Sequence, residues 1–184
     1  INELDSDTPS TDTLEFIELY DGGAGNTSLN GLVLVLFNGS SDISYSAFDL
    51  DGYSTNDNGY FLLGNAAVVP SPSIIFSDNT LQNGADAVAL YAGNATDFPI
   101  NTPVTTTNLI DAVVYDTNDA DDAGLLILLN SSQPQVDESG GSGSAIDSIQ
   151  RCPNGSGGAR NTETFITAEP SPGAENCPQT APKI

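Results

Sequence analysis

The sequence predicts an all-β sandwich or barrel, and two observations lead there. Short apolar runs rich in strand-favouring residues recur along the chain, separated by turn signals of Gly, Pro, Asn and Asp. One run, Leu32, Val33, Leu34, Val35, Leu36 and Phe37 within Gly31 to Gly39, is apolar without a break. Side chains alternate across a strand, so such a run needs apolar cover above and below, and the other strands must wrap around it. A chain of 184 residues with 38% hydrophobic content, 18 Gly and 11 Pro suits one folded, turn-rich domain with a real core.

The elements follow in order. INELD opens as a short strand, and a polar turn of Asp, Thr and Pro follows it. In LEFIELY, Glu15 and Glu18 interleave with Phe16, Ile17 and Tyr20, which predicts a strand with one wet face. Gly22, Gly23 and Gly25 end it. After the central run, SSDISYSAFDLDG alternates as an exposed strand. YFLLGN, PSIIF, AVALYAG and LIDAVVYD then continue the series at turn-marked spacing. Asp119 to Asn130 breaks the rhythm: Asp residues precede a Leu-rich turn, which predicts one short helix docked on the sandwich. VDESGGSGSA is a Gly/Ser-rich connection expected to be mobile. AIDSIQRC and NTETFITAEPSPG supply the last strands, and residues 178–184 form a tail without periodicity.

Charge narrows the partner classes. The formal net charge is −22, and the three cations, Arg151, Arg160 and Lys183, all lie near the C-terminus. Such a surface repels phosphate, so direct nucleic-acid binding and anionic membranes are poor fits. Divalent cations, basic surface proteins and neutral glycans remain open as partners. No apolar stretch is long enough for a membrane span. The chain starts at Ile1 without an initiator Met, which fits a processed secreted form or a trimmed piece of one.

The catalytic search points to a chain that is not an enzyme. There is no His, so a Ser or Cys nucleophile lacks its usual base and zinc its commonest ligand. Carboxylate pairs for glycoside hydrolysis can be drawn among the 25 acids, but most are Asp in turn-like Asp/Asn/Gly clusters, where solvated loops are the plainer reading. Cys152 and Cys177 flank the C-terminal stretch. In an oxidising compartment a disulfide there would stabilise by about 3 to 4 kcal/mol, against the alternative of two unrelated buried thiols.

Two acidic clusters have the oxygen donors a structural calcium ion takes. The first holds Asp49, Asp51, Asn56, Asp57 and Asn58. The second holds Asp116, Asn118, Asp119, Asp121 and Asp122. Neither has the closing Glu of the twelve-residue calcium loop, and Asp and Asn also build turns and cap helices. The glycosylation pattern Asn-x-Ser/Thr occurs at Asn26, Asn38, Asn94, Asn130 and Asn154, and N-linked glycans are expected in a glycosylating host, with Asn26 and Asn38 best placed.

The opening INELDSDTPSTDTLEFIELYDGG with SLNGLVLVLFNG resembles the lamin tail domain, an immunoglobulin-like β-sandwich. YFLLGN, NGADAVALY, LIDAVVYDTNDADDAGLL, SIQRC and EPSPGAENC resemble its extracellular branch. The resemblance spans residues 1–177 as one domain and leaves 178–184 as a tail. It implies a binding or assembly module without catalytic activity, often fused to secreted hydrolases. The expectation is therefore an extracellular or cell-surface structural subunit that polymerises with itself through its terminal segments, by strand addition at an open sheet edge. Arg151, Arg160 and Lys183 are the assembly candidates, able to lie on a neighbour's acidic body. The alternative is a monomeric adhesive or binding module of a secreted hydrolase, stabilised by calcium.

Overall fold

The computed structural model describes residues 1–177. Among them run β1 (Glu3–Asp5), β2 (Phe16–Tyr20), β3 (Leu32–Asn38), β4 (Ile43–Asp49), β5 (Tyr60–Gly64) and β6 (Ile74–Ile75). β7 (Asp86–Ala92), β8 (Leu109–Asp116), β9 (Val136–Asp137), β10 (Ser148–Arg151) and β11 (Phe165–Ala168) follow. They form an all-β sandwich. One sheet has the order β11-β10-β1-β2-β5-β6 and the other β4-β3-β7-β8-β9. Neighbours are antiparallel, except that the two-residue strands β6 and β9 join the edges in parallel.

The central run behaves as its pattern dictates. Leu34 and Leu36 of β3 point between the sheets, where they join Val88, Leu90, Val113 and Tyr115 against Leu4, Ile17, Phe61, Leu63 and Ile149 of the opposing sheet. Val33, Val35 and Phe37 point the other way, into a second core with Ala89, Tyr91 and Val114. Leu125, Leu128, Leu129 and Phe98 roof that outer face. Fully burying a side chain of this size contributes about 1.5 to 3 kcal/mol, so a strand packed on both faces draws apolar stabilisation from each.

Several expectations are corrected. The helix expected over Asp119 to Asn130 is a single 3₁₀ turn, Leu125–Leu128. Asp122 still caps it, its Oδ1 accepting from the N–H groups of Gly124 at 2.8 Å and Leu125 at 3.0 Å. Two further 3₁₀ turns, Ala95–Asp97 and Glu138–Gly140, were not foreseen. PSIIF yields only the two residues of β6. The wet face of β2 does not exist: Glu18 on its outer face and Glu15 just before the strand are both fully buried. Distant segments bring donors to each, Gly173 to Glu18 and residues 80–81 to Glu15.

The Gly/Ser connection is pinned as well. Glu138 accepts from the Ser6 N–H at 2.9 Å and the Ser6 hydroxyl at 2.6 Å, the Ser144 hydroxyl donates to Asp7 at 2.6 Å, and the Ser142 N–H donates to Asp147. Local composition alone would leave this segment loose; contacts with the start of the chain hold it.

Both ends of the described chain pack on their own domain. β1 lies between β10 and β2, in the interior of its sheet, so the N-terminal strand is not available to a neighbour. The longest edge strand is β4. Its free side meets the chain near residue 102 through Ser44, which donates to Thr102 and accepts from Asn101, and through a bridge between Ile43 and Pro103. From Tyr45 to Asp49 no further strand pairs with that side among the described residues.

Candidate functional site

Two of the three cations are engaged by the fold itself, Arg151 in the interior and Arg160 at the 3₁₀ turn. Arg151, on the inward face of β10, is 3% exposed. Its guanidinium donates from Nε to the Ile1 carbonyl at 2.7 Å and from Nη1 to the carbonyls of Ser156 at 2.7 Å and Asn161 at 2.9 Å. Nη2 lies 3.4 Å from Asp111, and the group stacks 4.6 Å from the Phe165 ring centroid. The Ile1 ammonium meets the same Asp111 at 2.6 Å. Burial raises the Asp111 pKa, but the ammonium, the Arg160 N–H and Arg151 outweigh it and hold the group below its ordinary value.

Arg160 donates its backbone N–H to Asp111 at 2.6 Å and its Nε to the Leu128 carbonyl at 2.6 Å. Its Nη2 reaches the carbonyls of Ile127 and Leu129 at 3.2 and 3.3 Å. It thus caps the carbonyl end of the 3₁₀ turn, where a cation is electrostatically favoured. As a surface contact for a neighbour, Arg151 is therefore corrected: it is an internal brace; Arg160 is half-buried, with its guanidinium engaged on the carbonyls of the 3₁₀ turn. Lys183 lies outside the described residues.

The disulfide is present, joining Cys152 to Cys177 with a Cα separation of 5.5 Å. It fastens a strap, residues 169–177, across the outer face of the six-stranded sheet. Beneath the strap lie Glu3, Glu18, Ser148 and Gln150, all fully buried. Glu3 accepts from the Ser171 N–H at 2.8 Å, the Ser171 hydroxyl at 2.9 Å and the Ser148 hydroxyl at 2.6 Å. Glu18 accepts from the Gly173 N–H at 2.6 Å and the Asn2 amide at 2.8 Å. The Cys177 N–H donates to Gln150 at 3.3 Å, and the Asn176 N–H to Asn154 at 2.8 Å.

Glu15 plays the same part for the segment before β7, accepting from the N–H groups of Thr80 and Leu81, both at 2.9 Å. A strap or loop that lies on a sheet without pairing has orphan N–H groups, and an aimed carboxylate satisfies them. Burial has a protonation consequence. Desolvation pushes Glu18 and Glu138 up to about 8 and Glu15 up to about 7, and it raises Glu3 as well.

The two acidic clusters serve the backbone and do not close around a centre. In the first, Asp49 accepts from the N–H groups of Asp51 at 2.9 Å and Ala95 at 3.2 Å, Asp51 from Gly31 at 2.6 Å, and Asp57 from the Asn26 amide at 2.9 Å. Asn56 accepts from the N–H groups of Asn58 and Tyr60. In the second, Asp116 is buried and accepts from Gln135 at 2.6 Å, with burial and its neighbour Asp137 raising its pKa. Asp122 caps the 3₁₀ turn, while Asp119 and Asp121 are exposed. Among the described residues no three Asp, Glu, His or Cys side chains are placed to hold a metal ion.

The sequons divide by surroundings. Asn26, Asn94 and Asn130 are exposed. Asn38, expected to be among the best placed, is half-buried with its amide donating to Gln82. Asn154 is built into the fold, donating to the Tyr60 hydroxyl at 2.7 Å and accepting from Asn176. Sequence reasoning missed Glu3, Glu15, Glu18 and Glu138 as anchors, since alternation on a strand gives the same pattern for a solvated Glu and a covered one. Among the described residues no helix is long and apolar enough to cross a membrane. Comparison with protein-family models, curated proteins and solved structures finds no match to this chain.

Proposed function

We propose that this chain is an extracellular, non-enzymatic structural subunit of lamin-tail type that assembles with itself into a surface filament or fibril. The observation that carries the reading is the open side of β4 from Tyr45 to Asp49, the longest of the four sheet edges, the others being β6, β9 and the four-residue β11. An unpaired edge of this length presents backbone donors and acceptors to an extended segment of another copy. With β1 in a sheet interior, the connecting segment is 178–184. A contact of this head-to-tail kind does not close on itself and grows linearly. The Cys152–Cys177 disulfide supports an oxidising compartment. The absence of His from the sequence supports a role without acid–base catalysis near neutral pH.

Electron microscopy and light scattering of the purified chain test this. Fibrils or a rising mass with concentration are expected, and deletion of residues 178–184 should abolish them. A monodisperse particle of 19.0 kDa at high concentration overturns the reading. The second reading, a monomeric binding module of a secreted hydrolase, is favoured by an open cavity at the end of β1, lined by Asp5, Leu14 and Ile146. A calcium titration that raises the melting temperature of the monomer would add to it.

A further inference from the structure

One buried carboxylate accepts no hydrogen bond on either oxygen among the described residues, whereas Asp86 and Asp116, each with one unpaired oxygen, accept at the other. Asp5, at the end of β1 beside the strap, is 5% exposed, and its Oδ1 has no hydrogen-bond partner among the described residues. Glu3, Glu15, Glu18 and Glu138 each accept two or more hydrogen bonds. A buried acceptor left unmade costs about 1 to 3 kcal/mol, so an orphan of this kind calls for a ligand or a proton.

Asp5 forms part of the wall of a cavity of about 240 Å³ whose other walls are largely apolar, with Pro9, Leu14, Ala145, Ile146 and Pro170. Leu14 and Ile146 at this cavity are 44% and 56% exposed. The volume is below the roughly 300 to 1,000 Å³ of pockets for drug-sized ligands, so the space suits a single side chain or a small molecule.

The electrostatics select the sign of the guest. Glu3 on the same strand, Asp7 and Asp12 from the following loop and Glu138 from the 3₁₀ turn all act on Asp5 with negative charge, and Glu169 of the strap lines the cavity. The described arginine side chains are engaged elsewhere, Arg151 at Asp111 and Arg160 on the carbonyls of the Leu125–Leu128 turn. An anion is repelled, and a neutral apolar guest offers the Asp5 carboxyl no hydrogen-bond partner. A divalent metal wants six to eight oxygens, which apolar walls do not supply. What remains is a compact cation on an aliphatic stem.

We infer that this cavity binds a primary alkylammonium group, carried by a free amine or by a lysine side chain of a peptide, with the ammonium against the Asp5 carboxylate and the stem along Leu14 and Ile146. Without a guest, burial and the surrounding acids push Asp5 up to about 9, so at neutral pH its carboxyl is protonated. Binding exchanges that proton for the ammonium: the acid releases H⁺ to solvent and the carboxylate accepts from the N–H groups of the guest. Affinity therefore rises with pH by close to tenfold per unit up to the Asp5 value, until the amine itself deprotonates above about 10. The inference is independent of whether the chain assembles, and its failure leaves the filament reading untouched.

Titration of the full chain with n-butylamine tests it, with 1-butanol as the neutral isostere and Nα-acetyl-lysine methylamide as the side-chain source. The readouts are the backbone amide shifts of Ala145 and Ile146 and the carboxyl carbon shift of Asp5. Expected are saturable shifts with butylammonium, at least tenfold weaker binding of butanol, and tightening from pH 6.5 to 8.5. Asp5→Asn should remove both the preference for the cation and the pH dependence. Ile146→Trp, which fills the mouth, should block binding while the Asp5 carboxyl signal persists, and so serves where Asp5→Asn does not fold. Binding of the lysine derivative assigns a peptide guest, and binding of butylamine alone assigns a small amine. Equal binding of butanol and butylamine, amine binding retained in Asp5→Asn or Ile146→Trp, or no saturable shift with any amine overturns the inference.

Discussion

Arg151 joins the start of the chain to its end: one guanidinium holds the Ile1 carbonyl, two carbonyls from residues 156 and 161, Asp111 and the Phe165 ring. Its fork and its planar face are both in use, so Lys is a poor substitute. Arg151→Met should cost about 3 to 5 kcal/mol in equilibrium urea unfolding, because it leaves three carbonyls without their donor and Asp111 with one cation fewer, and Arg151→Lys should recover less than half of that. Glu18 makes a contrasting case. Glu18→Leu strands the Gly173 N–H and the Asn2 amide and should cost about 1 to 3 kcal/mol. Glu18→Gln keeps an acceptor oxygen in place and should cost clearly less at pH 7, where burial already favours the neutral acid.

At the scale of elements, the strap 169–177 is a surface segment kept in place by two kinds of fastening, a disulfide at its end and carboxylates beneath it. Replacing Cys152 and Cys177 by Ser should cost about 3 kcal/mol. Because Glu3, Glu18 and Asn154 still hold the strap, the loss should show first as faster hydrogen exchange at Ser171, Gly173 and Asn176, ahead of the strands. Uniform acceleration across both sheets would mean that the strap is no separate unit. The sequons follow their elements. Purified from a glycosylating host, the folded protein should carry sugar at Asn26, Asn94 or Asn130 and none at Asn154. There the side chain is half-buried, with its amide on Tyr60 and its oxygen on the Asn176 N–H, whereas the other three are exposed. Peptide mass spectrometry reads the outcome.

For the molecule as a whole, the buried acids set the response to pH. Asp5 is pushed up to about 9, Glu18 and Glu138 to about 8, Glu15 to about 7 and Asp86 to about 6, each chiefly by burial. Their unfolded values lie near 4, so between pH 4.5 and 8 the folded state binds more protons than the unfolded one. Stability from these groups is complete below the unfolded values and is lost as pH rises through the folded ones. Asp111 runs the other way: its value is lowered, so its contribution is present above about pH 4 and disappears as pH falls further. The urea midpoint should therefore be highest near pH 4.5 to 5.5 and fall steadily toward pH 8.5. A midpoint that is flat or rises over that span would mean that the carboxylates are ionised and paired throughout.

The sandwich was legible because it is written in local periodicity. Six apolar residues in a row from Leu32 to Phe37 require two covered faces, and the fold covers both, with Leu34 on one side and Val35 on the other. The pairing of Cys152 with Cys177 was legible for a simpler reason, since the chain contains no other Cys. The surroundings of the charges were not. Glu18 beside Ile17 reads as a solvated residue until Gly173, far along the chain, brings its N–H to it, and Arg151 reads as a surface cation until Ile1 and Asp111 meet it in the interior. Apolar burial is set by which face a residue occupies, which the strand period fixes from the sequence. Burial of a charge depends on partners from distant segments, and only the tertiary structure brings those together.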